Sequence, residues 1–166
     1  MNANTTAPKP VVARAATAER LAHAQQSVMT LLADASDTGG ALSVHRSTFP
    51  NGGDGAPSHF HTGAGESLFV ISGRLQVLTG DEVLVLDAGD FVTIPPGLAH
   101  AFGAARGFDA DVLAVFTPAA DRFDYYRLLE RVNAGEADPK EIPASGERYD
   151  NHYVASEAWR RARAGE

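Results

Sequence analysis

Hydrophobic residues are densest between residues 27 and 116, where they fall in short runs broken by turn-forming residues. SVMTLL (27–32), ALSVHRSTF (41–49) and DVLAVF (111–116) each read as a strand. Between them, ESLFVISGRLQVLTGDEVLVLDAGDFVTIPPGLAHAF is rich in Val, Leu, Ile and Phe and is cut by Ser-Gly, Thr-Gly-Asp, Ala-Gly-Asp and Pro-Pro-Gly. Short strands at such regular spacing predict a sandwich or small barrel. PNGGDGAP (50–57) is a loop by composition.

The period changes on either side of this block. TAERLAHAQQ (17–26) predicts a short helix capped by Thr17, although its apolar face is thin. Residues 1–16 read as a loose polar arm. After residue 116, Phe123, Tyr126 and Leu129, joined by Tyr125, Leu128 and Val132, form a helical stripe. Thr117 is its expected cap, Pro118 its first residue and Gly135 its stop. SEAWRRARA predicts a last short helix. The expected organisation is an arm over 1–26, a β-barrel over 27–116 and a helical extension over 117–166 packed on the barrel.

Composition narrows the function. A formal charge of −7 argues against nucleic acid or an anionic membrane as partner, since both call for clustered Lys and Arg. With no cysteine, disulfides, thiolate ligands and thiol nucleophiles are excluded. No stretch reads as a signal peptide or is long enough to span a bilayer, so a cytoplasmic location is expected.

The chemistry concentrates in HFHTGAGE (59–66). Side chains two apart on a strand share a face, so His59 and His61 present two imidazoles together, with Phe60 opposite. Four small residues then let Glu66 turn back toward them. Two nitrogens and a carboxylate converging on one point outline a metal site. The other histidines carry blander expectations: His23 on a solvated helix face, His45 in packing or in the lumen, His152 structural. The Phe123/Tyr126/Leu129 stripe is expected to be core or a dimer contact, and RRARAGE a solvated face.

The same residues belong to a longer frame. Gly53, His59, His61, Glu66 and Gly73 spell G-x5-H-x-H-x4-E-x6-G, and Gly89, Pro95, Gly97 and His100 spell G-x5-P-x-G-x2-H. The pair resembles, position for position, the two motifs of the cupin superfamily. One departure is Ala104, where many cupins carry Asn. The resemblance implies an all-β double-stranded β-helix, the cupin or jelly-roll barrel, with a short N-terminal arm and C-terminal helices. It also implies a divalent transition metal (Ni, Mn, Fe, Co, Cu or Zn) on His59, His61, Glu66 and His100, and pairing of barrels into a homodimer, with 27–32 as the shared strand. A barrel lumen reached by alternate residues can bring those four together.

ASDTGGALSVHRSTFPNGG, RFDYYRLL, RYDNHYV and SEAW narrow the likeness to single-domain quercetinase-type cupins. That resemblance implies a dioxygenase acting on a small flavonol-like or polyketide-like aromatic and O2. Glu66 would be the catalytic base accepting the enol proton, and the activated enolate would react with O2, opening the central ring and releasing CO. Strand parity offers Leu68, in step with Glu66, and Phe102, in step with His100, as substrate contacts. The alternatives are an O2-independent metal-dependent isomerase or cyclase, and a non-catalytic small-molecule-binding protein.

Overall fold

The alternating runs become strands in the computed structural model, which describes residues 9–165. In chain order these are β1 (Arg20–Ala22), β2 (Val28–Ala33), β3 (Ser43–Phe49), β4 (His59–Phe60), β5 (Gly65–Thr79), β6 (Glu82–Asp87), β7 (Phe91–Ile94), β8 (His100–Ala104), β9 (Ala110–Thr117) and β10 (His152–Tyr153). The helices are α1 (Ala35–Thr38), α2 (Phe123–Asn133), α3 (Glu141–Ala144), α4 (Gly146–Tyr149) and α5 (Glu157–Ala164). All pairings are antiparallel. The expected all-β jelly roll is the observed fold.

Two sheets face each other, and β5 belongs to both. Its first half pairs with β9 and β7, its second with β6 and β8. Glu66, Leu68 and Val70 are buried on the first half, Leu75 and Val77 on the second, so the inward parity switches from even to odd. The switch falls at a register shift between Val70 and Ser72, just before Gly73 at φ 78°. A bulge adds one residue and re-aims the strand, which is how one chain segment can serve two sheets. At Gly73 a Cβ would also run into the Asp109 carbonyl. Gly73→Ala is therefore expected to cost at least about 2 kcal/mol, read as a lower urea midpoint with little change in slope.

Between the sheets lies an apolar core built from Phe49, Leu68, Val70, Leu75, Val77 and Val112 among others. β3 and β9 show clean alternation, with Ser43, His45, Ser47 and Phe49 facing in opposite Ala110, Val112, Ala114 and Phe116. A second cluster joins Leu21 and Leu31 to Tyr125 and Tyr126, and there α2 lies on the outer strands. The aromatic stripe is thus partly core, as expected.

Three expectations change. Residues 17–26 are not a helix: Arg20–Ala22 pairs with β2, and Gln25 and Gln26 take positive φ. With Leu21 alone buried on this segment, a helix had no face to bury, whereas a strand gains the β2 edge. Residues 1–8 of the predicted arm lie outside the described residues. β2 is paired on both sides, by β1 and β3, so the strand expected to be shared between copies is taken up within one chain. Finally, α2 begins at Phe123, because Thr117 is still in β9, paired with Gly65. The Asp34 carboxylate caps α2 instead, accepting from the N–H groups of Arg122 and Phe123 at 3.2 and 3.3 Å. Gly135, at φ 75°, does mark its end.

The C-terminal basic stretch is more than a solvated face. Arg163 donates to Asp54, Gly52 O and Ala104 O, which fastens α5 to the barrel. No helix among the described residues is long and apolar enough to cross a membrane.

Candidate metal centre

His59 opens β4, His100 opens β8, and the two are register partners. Glu66 stands near the start of β5, and His61 lies just past β4. One ligand atom from each of His59, His61, Glu66 and His100 lies within 4.8 Å of the others, and all four residues are buried. The structure brings together the full set expected from the sequence.

Hydrogen bonds on the far side of each ring decide which nitrogen points inward. Nδ1 of His59 faces Pro57 O at 2.7 Å, Nδ1 of His61 faces Asp150 O at 2.5 Å, and Nδ1 of His100 faces Leu98 O at 2.9 Å. A carbonyl accepts only, so each Nδ1 carries a proton and each Nε2 is turned to the centre; that of His100 donates to Glu66, and a bound ion would take the place of that proton. Nε2 of His61 is buried and has no hydrogen-bond partner among the described residues. A buried nitrogen without a partner is costly unless an ion takes the lone pair. The donor set fits a divalent transition ion, and its N3O composition does not choose among metals.

The charges agree. Burial pushes Glu66 up, but the hydrogen bond from His100 and the nearby His61 ring outweigh it and hold the carboxyl well below its usual range. Nε2 of His100 is 2.9 Å and Nε2 of His61 3.5 Å from the same carboxylate oxygen. Burial would lower His100, yet its bond to Glu66 raises it; His59, lacking that bond, is pressed by burial and by His100 down to about 3.

The centre opens on a cavity of about 520 Å³, a size typical of small-molecule sites. His59 and Glu66 form part of its wall, with Phe49, Phe102 and Phe116 supplying apolar surface. Phe102 therefore sits where a substrate contact was expected. Leu68 does not: it is fully buried in the core and does not line the cavity. Its parity is right, but it belongs to the apolar core cluster with Phe49, Phe102 and Val112.

Several wall residues differ from the sequence expectation, which puts the Tyr126 stripe in the core or a dimer contact and gives Arg122, Asn151 and Tyr153 no site role. Arg122, Tyr125, Tyr126, Asn151 and Tyr153 all line the cavity from the C-terminal extension. His45 faces the lumen, pushed down to about 4 by burial and hence neutral, with Nδ1 3.2 Å from the Tyr126 hydroxyl. His23 also lines the cavity, with a buried Nε2, rather than facing solvent. His152 is structural, as expected: it stacks on Phe60 and meets Asp150 at 3.1 Å.

Asp150 links the extension to the centre. Its backbone is left-handed (φ 50°, ψ 50°), its carbonyl holds His61, and its carboxylate accepts from Thr62 N, Thr62 Oγ1 and Gly63 N at 2.6–2.8 Å. Next to it, β10 pairs with β4, setting Tyr153 opposite His59.

Residues 45–116 match the family model described as the cupin domain. No curated protein matches the sequence. Among solved structures, an RmlC-like cupin from Shewanella frigidimarina is 19% identical with a TM-score of 0.57, covering 70% of this chain and 96% of that one. A predicted oxalate decarboxylase from Thermotoga maritima is 21% identical (TM-score 0.56), covering 66% and 99%. The Streptomyces nucleoside dehydratase Pac13 is 18% identical (TM-score 0.54), covering 70% and 88%. At these identities the likeness is one of fold.

Proposed function

We propose a metal-dependent dioxygenase of the quercetinase-like kind, acting on an aromatic enol, for this chain, whose residues 45–116 match the cupin-domain model. The observation that carries this reading is the buried His59–His61–Glu66–His100 cluster at the wall of an aromatic-lined cavity. A divalent transition ion held by these four side chains supplies Lewis acidity to an enol oxygen and a place for O2.

The chain's own residues do the rest. The Nδ1–H bonds to Pro57, Asp150 and Leu98 keep the three imidazoles in one tautomer and orientation. Phe102 and Phe116 give a flat ring an apolar wall and keep water from it. Glu66 accepts the enol proton. Its low pKa makes it a weak base, so it suits an acidic hydroxyl rather than an aliphatic one.

A second reading, an O2-independent isomerase or cyclase, is favoured by the additional polar group His45–Tyr126–Arg122 in the same wall. An oxygen electrode separates the two. Metal-reconstituted protein with quercetin is expected to consume O2 and release CO, and Glu66→Ala to do neither. No uptake with any metal, in protein shown by elemental analysis to hold a stoichiometric ion, would sink the dioxygenase reading.

A further inference from the structure

Arg122 is the unusual group in the cavity. It is only 3% exposed, and its guanidinium lies 4.5 Å over the ring of Phe116. Its partners are all neutral oxygens: Nε donates to the Tyr126 hydroxyl at 3.0 Å, Nη1 to Tyr149 O at 3.1 Å and Nη2 to Asn151 Oδ1 at 3.0 Å. Three of five N–H groups are thereby used. No carboxylate among the described residues lies within ion-pair distance of it. Glu66 acts on it through space without touching it, and a buried cation with no anion in contact gains from one that joins it.

The neighbours point the same way. Because Arg122 donates to the Tyr126 oxygen, the tyrosine's own proton goes to Nδ1 of His45, which leaves His45 Nε2–H as a further donor. Along the same cavity, the side-chain oxygens of Ser27 and Ser47 and Nε2 of His23 are buried with no hydrogen-bond partner among the described residues. The cavity lining thus combines a buried positive charge that touches no carboxylate and several unsatisfied polar atoms with the apolar surface of Phe49, Phe102 and Phe116. Nη1 of Arg122 also sits 3.5 Å from Nδ1 of His61, so the charge stands just behind a residue of the metal cluster.

We propose that this wall is an anion subsite and that the cavity takes an aromatic ligand bearing a carboxylate, which pairs with Arg122 while its ring lies against Phe116 and Phe102. The proposal rests on the metal-dependent reading only for the position of the reacting oxygen. The carboxylate contact itself belongs to Arg122.

The test is calorimetric titration of the zinc-loaded full chain with 1-hydroxy-2-naphthoate and with its uncharged amide. A charge-assisted forked contact is worth about tenfold or more in affinity. Wild type is expected to prefer the acid, and Arg122→Met to lose at least about tenfold of that preference while keeping its zinc. Equal preference in wild type and R122M overturns the subsite, whereas loss of zinc stoichiometry in wild type itself would instead count against the metal-dependent reading. Should R122M fail to fold, side-chain 15N NMR of wild type decides. The Arg122 Nε–H resonance, assigned through its absence in R122K, is expected to shift with the acid and not with the amide; a resonance unmoved by the acid overturns the proposal.

Discussion

Replacing His61 with alanine is expected to lower metal affinity by roughly 100-fold or more, beyond the 10–100-fold typical of losing a supporting residue. Its buried Nε2 has no hydrogen-bond partner among the described residues, and its ring is clamped by the Asp150 carbonyl. Its loss leaves two imidazoles and Glu66, and Glu66 is already engaged by His100 at 2.9 Å. The remaining His100–Glu66 pair then satisfies itself, which removes the incentive to hold an ion. Competition against a chelator of known affinity measures the change. Far-UV circular dichroism should stay native, because the apolar core lies elsewhere in the barrel. Unchanged affinity in a folded His61→Ala would mean that the four-residue cluster is not the metal site.

The second large effect is expected at Asp150, which binds no ion itself. Asp150→Ala should weaken metal binding about 10–100-fold, the range for residues that orient a ligand. Two effects combine. The carboxylate that pins Thr62 and Gly63 is lost, and alanine resists the left-handed backbone that aims the carbonyl at His61. Asp150→Gly separates them, since glycine keeps the backbone and drops only the carboxylate; it should fall between wild type and alanine. Acid should likewise release the carboxylate's hold on Thr62 and Gly63. Burial would raise Asp150, but bonds from Thr62, Gly63 and His152 lower it to about 2, from an ordinary 3.8. A carboxyl depressed on folding stabilises the fold above its unfolded pKa, and that contribution is lost as pH falls from about 4 toward 2. Protection of the Thr62 and Gly63 amides from hydrogen exchange should decline over that window, and a flat profile would remove Asp150 from this role.

Much of the site was legible because its parts are local. The HxH spacing places two rings on one face, and Glu66 and His100 follow at strand starts that glycines and prolines mark. Parity also placed Phe102 and His45 inward. Parity says which side a residue takes, not how deep along the barrel it sits, so Leu68 was assigned to a wall that the core had already filled. Arg122, Asp150 and Asn151 stand in stretches that narrow the likeness, but nothing there gives them a place at the site. Arg122 and Asp150 lie 61 to 89 positions from His61 and Thr62, and no local spacing marks such a partner. The missed strand at Arg20–Ala22 is the same problem in another form: three residues show no period of their own, and only the edge of β2 makes them a strand.

The Asp150–His61 bond also orders events in time. Synthesis runs from the N-terminus, so every residue of the metal cluster is made before Asp150, and the barrel through β9 is complete while the segment that clamps His61 is still missing. A nascent chain at that stage has the imidazoles but not the carbonyl that fixes the tautomer of one of them. On the metal-dependent reading proposed above, full affinity for the ion is reached only after this segment has left the ribosome, so the ion would join a barrel already folded.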